Sequence, residues 1–407
     1  MSALTEFLRE GYEPAEAGGL RLGLIDTEEG WSRLAPYWQA LHEATPGASV
    51  FQTYPYLRTW WECLGSAGEL FILVALRDER PVAIAPLQIT RSKQLWARAR
   101  TVSYIGQPSE SDRPTILGAA DTPLAQAIAD YLLRLRRRWD SIVLFEQPLD
   151  SELVRALRTK LGEARYLVAQ IEGNECPYIE VSGNWTDYLA GRTKAFRKSL
   201  KRRRAQLEGM GRLEFEATRG PDNEAALARY RAVEDKSWKR AQNLGVARSE
   251  RHWQFHRRLA GCAGPAQWMR FGFLKLDGQD IAATLGLLWR GRFYSLHVAH
   301  DAAQVDTSPG VVLTALELEP LFAQGDCHHY DFLGGFLSNK RGWSTGSQHT
   351  TALFGDRPSL RALSFHVLYF RVKPLLRRLL ERAGRLEQVS NALKKFRRSR
   401  KPPPVEI

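Results

Sequence analysis

The chain is poor in cysteine, with Cys63, Cys176, Cys262 and Cys327 in 407 residues and no CxxC pair. That spacing excludes a disulfide framework and a cysteine-built zinc site, and points to buried, reduced thiols. Long apolar runs are also missing: nothing approaches the roughly 20 residues that a membrane-spanning helix needs. The N-terminal residues MSALTEFLREGYEPAEAGG have an early acid and no apolar signal core, so residence in the cytoplasm is expected. RNP, KH and zinc signatures are absent, which argues against sequence reading of nucleic acid. No metal is expected.

What is present fits two domains of ordinary size. Tryptophan is abundant, at twelve residues, and the composition is that of a globular chain. The net charge of +13 is concentrated in two places. Residues 371–401 hold twelve Lys and Arg against Glu381 and Glu387, and residues 192–204 (RTKAFRKSLKRRR) hold eight with no acid. The rest of the chain is net acidic, so two basic elements account for the charge.

Two regions repeat an order of elements. ELFILVALRDERPVAIAPLQITR predicts a hairpin turning at Asp78 and Glu79, and MRFGFLKLDGQDIAATLGLLW one turning at Asp277 and Gly278. Aligning the aspartates sets Val82-Ala83 opposite Ile281-Ala282. Each hairpin is followed by a strand, a loop, a helix (near 123–138 and near 310–324) and another strand. Helical crossovers between strands imply a mixed sheet.

Between the repeats, Asn184 or Thr186 can cap a helix that carries Phe196, Leu200 and Leu207 along one side and the basic run around the rest. Helices near 222–243 and 249–261 follow. After Arg371 the sequence becomes a basic amphipathic helix with a frayed tail. The domains expected are 1–180, 181–370 and the helix and tail 371–407.

The stretches KAFRKSLKRRRAQLEGMG, DKSWKR, FYSLHVAHDAAQVDTSPGVVLTALELEPLFAQG and YDFLGGFLSNKRGW together resemble the GNAT-fold family typified by the acetyltransferase of cellulose biosynthesis (the CelD type). That family is itself similar to the Fem-type aminoacyltransferases. Asp331, Gly334, Lys340 and Trp343 match the family's Asp, Gly, Lys and aromatic pattern. The resemblance covers about residues 185–343, with weaker support from 50–150. It implies an α/β fold of mixed (α+β) sheets with tandem GNAT-like domains, the first degenerate and the second using an acyl-CoA such as acetyl-CoA. One departure stands out: the usual Gln/Arg-x-x-Gly-x-Gly/Ala loop is reduced to Ser308, Pro309 and Gly310, with a valine at the second glycine.

Thr307-Ser308-Pro309-Gly310, with Val311, follows a strand and opens a helix. Its first-turn amides and dipole can hold a pyrophosphate, or it is an ordinary helix start. The strand RFYSLHVAHD alternates, so that His297 and Tyr294 do not share a face with Ser295. His300, near the strand end, is a candidate base or a hydrogen-bonded rim histidine. Asp331 can orient or deprotonate the acceptor, or cap the Gly334-Gly335 turn, or pair with an arginine such as Arg341. Tyr330 is a candidate acid for the departing thiolate. Lys340 and Trp343 can clamp a phosphate or the acceptor, and Lys194, Arg197, Trp238 and Lys239 are further binding candidates.

The expected chemistry is direct attack of an acceptor amine or hydroxyl on the thioester, without a covalent enzyme intermediate. The acceptor expected by resemblance is a sugar, a polysaccharide or a lipid-linked precursor. The basic C-terminal helix either lies on an anionic membrane face or packs on the domain. Two alternatives stay open: a Fem-like enzyme using aminoacyl-tRNA, with residues 192–204 on RNA, and a non-catalytic adaptor of polysaccharide export.

Overall fold

The computed structural model describes residues 5–13, 19–94, 97–107, 109–118, 121–218, 220, 222–262, 265–335 and 338–382. Its strands are β1 (Arg9–Tyr12), β2 (Leu20–Ile25), β3 (Gly68–Leu70), β4 (Ile72–Arg77), β5 (Arg80–Ala85), β6 (Leu87–Gln94), β7 (Ala97–Tyr104) and β8 (Leu117–Gly118). They continue as β9 (Ser141–Pro148), β10 (Leu167–Glu180), β11 (Leu213–Thr218), β12 (Met269–Leu276), β13 (Gln279–Trp289), β14 (Arg292–His300), β15 (His329–Asp331) and β16 (Gly346–Asp356). One sheet runs β1-β2-β4-β5-β8, and the other β11-β12-β13-β14-β15-β10-β16-β9-β7-β6-β3.

The predicted repeat is real at the level of the backbone. Asp78 and Glu79 (φ 50° and 61°) and Asp277 and Gly278 (φ 49° and 80°) turn their hairpins through the left-handed region that a two-residue I′ turn requires. Each hairpin slips register one step before the turn, at Ala75/Leu76 and at Leu274/Lys275. Both halves then place two strands in parallel, β7 beside β9 and β14 beside β15. The intervening helices are Thr122–Arg134 and Pro309–Gln324.

The sheet runs on across the expected boundary after residue 180. β10 pairs with β15 and β16, and β16 pairs with β9 of the first half. A single apolar cluster spans both halves, bringing Trp31, Tyr56 and Leu57 together with Phe255, Leu285 and Tyr294.

Three local expectations change. The helix expected after Asn184 is two: Asn184 caps Trp185–Ala190, the chain breaks at Gly191, and Thr193 caps Lys194–Glu208. The helix expected over 222–243 is Asn223–Asp235 followed by one short turn, Trp238–Ala241. In β14, Leu285 faces His297 but Gly286 faces Ser295, so Leu296 is an extra residue bulged out of the ladder. Strict alternation would return His297 to the Ser295 side; the bulge turns it to the Tyr294 side, against His256.

At the C-terminus, Leu360–His366, a π-turn over Val367–Val372 and Lys373–Arg382 form a continuous helical run. Its start lies ahead of the expected Arg371, and the tail expected beyond it lies outside the described residues. Among the described residues, no helix is long and apolar enough to cross a membrane. The four cysteines are free thiols, three of them buried.

Candidate active site

β14 and β15 pair in parallel over only three residues, ending at Tyr294 opposite Asp331, and then part. The gap between them opens into a cleft of about 410 Å³. Leu296 and His297 from β14 and Leu333 and Gly334 beyond β15 line one side. The loop Ser109 to Asp112 of the first half, with Glu146, lines the other. Four non-glycine residues around it hold left-handed backbone: Glu110 (φ 67°), Arg113 (44°), Glu146 (53°) and Leu333 (59°). Such conformations cost energy and persist where surrounding structure enforces them, a pattern typical of working sites.

One group of side chains in the cleft is suited to moving a proton. His256 is buried, and its Nδ1 lies 2.8 Å from the carbonyl of His252. With the proton on Nδ1, its Nε2 is a bare lone pair that has no hydrogen-bond partner and lies 3.7 Å from Glu110 Oε2. The other Glu110 oxygen accepts from Arg248. Burial works to raise the Glu110 carboxyl, but the charges beside it, Arg248 among them, outweigh it and hold it low. Burial, reinforced by Lys239, pushes His297 down to about 3, so this imidazole is neutral and by itself a weak base, and a proton on it has to be held by the Glu110 charge. The ligand atoms of Glu110, His256 and His297 all lie within 4.8 Å of one another, a donor set that can also hold a cation. The positive charges of Arg248 and Lys239 beside it oppose that use.

A second group is structural. Arg113 reaches from the first half to Asp331, with Nη2 to Oδ2 at 2.5 Å, and its Nε lies 2.6 Å from Asp112 Oδ1. Asp331 also accepts the N–H of Leu333, and Asp112 that of Gly334. Burial lifts Asp112 to about 7 against the pull of Arg113, and burial likewise raises Glu146.

The helix Pro309–Gln324 starts against the parted end of β14: a Cβ added at Gly310 would stand 3.4 Å from Val298 Cγ1 and 3.9 Å from His300 Nδ1. Ser308 (φ 54°) offers no side-chain cap. Its N–H donates to Val305 O, that of Val311 donates to Ser308 O, and Pro309 has none. Gly310 is therefore where an anion can approach the tip. The basic helix Lys194–Glu208 lies along this helix and against the turn Ala302–Thr307. Its Lys194, Arg197, Lys198, Lys201 and Arg202 are exposed. The equivalent helix of the first half has its tip filled by its own carboxylate, Asp121 Oδ1 accepting from Leu124 N–H.

Several expected site residues take other places. Asp331, 1% exposed, is locked to Arg113 of the first half and is no free base. Tyr330 is fully buried, stacks on Phe293 and donates to Glu317 Oε2, so it faces no leaving group. Thr307 donates its hydroxyl to Gln304 O. Trp343 is core, edge-on to Phe196, with its carbonyl accepting from Tyr188. Lys340 donates to Phe332 O and holds the loop behind Asp331. His300 is half-buried beside Gly310, its basicity lowered by burial and then by Lys239. Lys239 thus lies close to both His297 and His300, while Trp238 is exposed.

The residues that sequence reasoning missed are Glu110, Asp112 and Arg113 of one loop, with Glu146, Arg248 and His256 from segments far from it in the chain. The one visible signal was the polar, proline-bounded loop SESDRP at 109–114.

Comparisons with known proteins bear on the fold. Residues 194–341 match the family described as acetyltransferase (GNAT) domain. A search of curated proteins found no match. Among solved structures, FemX superposes with a TM-score of 0.54 at 10% identity, covering 78% of this chain and 95% of its own. A conserved protein of unknown function from Bacteroides thetaiotaomicron VPI-5482 gives 0.50 at 13% identity, covering 82% and 99%. A tandem GNAT protein from the clavulanic acid biosynthesis pathway gives 0.45 at 12%, covering 84% and 99%. The fold is a tandem GNAT-like α/β arrangement, and the second half carries the acetyltransferase domain of an acyltransferase.

Proposed function

We propose that the chain transfers an acyl group from acyl-CoA to an amine or hydroxyl of an acceptor seated in the cleft between its halves. The observation that supports this reading is the contact of Gly310 with the parted end of β14, the strand whose Leu296 and His297 line that cleft. The pyrophosphate would lie at the positive end of the helix dipole, with the basic helix Lys194–Glu208 close enough to take the remaining phosphates. The first half, with Asp121 on its helix tip, repels an anion and fits a degenerate, scaffolding role.

In this reading the thioester lies along β14, and backbone amides freed by the Leu296 bulge face its carbonyl oxygen and stabilise the oxyanion. The acceptor enters from the cleft. Its nitrogen or oxygen forms the new bond to the acyl carbon as the C–S bond breaks, its proton passes to neutral His297, and CoA leaves as thiolate. Glu110, held in place by Arg248, stabilises the imidazolium that forms. Asp331 serves instead through Arg113, which fixes the first-half loop against the second half. The acceptor of the cellulose-biosynthesis resemblance, a sugar or a lipid-linked precursor, has the polarity the cleft requires.

A second reading is favoured by one observation: the exposed, largely unpaired basic face of Lys194–Glu208 also suits RNA, as an aminoacyl-tRNA donor would require. The test is release of free CoA from acetyl-CoA and longer acyl-CoAs in the presence of amino sugars and polysaccharide, set against aminoacyl transfer from charged tRNA. CoA release supports the proposal; transfer from tRNA alone overturns it. Failure of both, with biological function intact after His297→Gln, favours an adaptor.

A further inference from the structure

A second cavity, of about 500 Å³, lies on the first half beneath the C-terminal helix. Trp60, Val143, Phe145, Phe354, Phe365 and Tyr369 give it an apolar wall. Its glutamines are turned into the protein: Gln88 donates to the carbonyls of Tyr104 and Gln107, and Gln107 to that of Phe145. The cavity abuts the catalytic cleft. Ser109 lines both, and Phe145 faces the apolar cavity while its neighbour Glu146 faces the cleft.

The helix that roofs this cavity is amphipathic in an unusual sense. Phe365 and Phe370 pack inward around Phe354. The outward side leaves Leu363, Val367, Leu368, Leu375, Leu376 and Leu379 each more than two-fifths exposed. Arg361, Arg371, Lys373 and Arg378 are exposed along the same run. Exposed leucines among cations match the interface of an anionic bilayer, where apolar side chains enter the acyl boundary and the cations meet the lipid phosphates.

We infer that the acceptor is an amphiphile taken from an anionic membrane surface, its aliphatic chain in the apolar cavity and its nucleophilic head group in the cleft. This rests on the acyl-transfer reading for the role of the cleft, while the cavity and the helix stand on their own geometry. A head group passing Ser109 arrives beside Glu110 and His297; a soluble sugar would leave the apolar cavity without purpose. Cavities of this size and lining commonly bury most of a bound small molecule.

The test uses the full chain and dansyl-undecanoic acid as the chain probe, with phosphatidylglycerol and phosphatidylcholine vesicles. The expected result is saturable probe binding that falls at least about tenfold in Thr90→Trp, which fills the cavity from β6. Acetyl-CoA binding should be the same in both. A diazirine-bearing fatty acid should crosslink to peptides containing Trp60, Phe145 or Tyr369, which reads the cavity even if Thr90→Trp misfolds. Sedimentation with phosphatidylglycerol vesicles, and not with phosphatidylcholine, should be lost in Leu375→Glu/Leu376→Glu with probe binding kept. Absence of saturable probe binding, crosslinks elsewhere, or equal sedimentation with both lipids overturns the inference. Acetyl-CoA binding without probe binding removes the lipid alone. Probe binding without acetyl-CoA binding removes the transferase reading on which the acceptor's role depends.

Discussion

Arg113 and Asp331 belong to different halves of the chain, yet their side chains meet at 2.5 Å in a site where Asp331 is 1% exposed. The pair closes one end of the cleft and fixes the first-half loop against β15. Removing the cation alone would leave the buried carboxylates of Asp331 and Asp112 without the charge that offsets them. Arg113→Met is therefore expected to destabilise the fold by about 3–5 kcal/mol, and adding Asp331→Asn to recover much of that. Urea unfolding of the single and double variants checks it; a single-variant loss no larger than that of an exposed arginine would contradict the structural role.

His297 carries the chemical step in this account. His297→Gln should lower kcat roughly 100- to 10,000-fold while acetyl-CoA still binds, because the side chain acts on the acceptor's proton and not on the donor. Steady-state kinetics beside a binding titration separate the two effects.

The same residue leaves a signature in stability. Its folded pKa, about 3, lies below the ordinary histidine value near 6.5. Between those values the unfolded chain binds the extra proton, so stability is fully present above the unfolded pKa and falls as pH drops towards the folded one. The slope from this group is at most about 1.4 kcal/mol per pH unit. Urea melts at about pH 7.5 and about pH 5 should show a smaller acid loss in His297→Gln than in the parent.

The basic helix Lys194–Glu208 tests which donor is used. Lys194→Gln/Arg197→Gln/Lys201→Gln should weaken acetyl-CoA binding by about tenfold and flatten its salt dependence. Loss of RNA retention at low salt with unchanged acetyl-CoA binding would favour the aminoacyl-tRNA reading instead.

The sequence exposed the parts of the fold that are local. Two hairpins with left-handed turns at Asp78-Glu79 and Asp277-Gly278, two crossover helices and the proline-led start at Pro309 all follow from short-range chemistry. Long-range pairings were hidden. Nothing in residues 346–356 announces that β16 will lie between β10 and β9, because register is chosen by burial across the whole sheet. The site behaved likewise. Gly310 and His300 were legible as a helix tip and a strand end. Asp331 drew attention as an acid near a turn, but its partner, Arg113, lies more than two hundred residues away. His297 was placed on the right face only because an extra residue, Leu296, shifts the strand's phase. The pairing of Glu110 with His256 was not legible, since their meeting depends on the two halves folding onto each other.

The central claim is that the helix tip at Gly310 receives the donor's phosphates. A Cβ there meets only ordinary contacts, and an aspartate in the first turn suits the helix dipole, so Gly310→Asp should fold at least as stably as the parent. Isothermal titration with acetyl-CoA decides the matter: the account predicts saturable binding by the parent and a loss of at least about tenfold in Gly310→Asp. No binding by the parent, or equal binding by both, would contradict it.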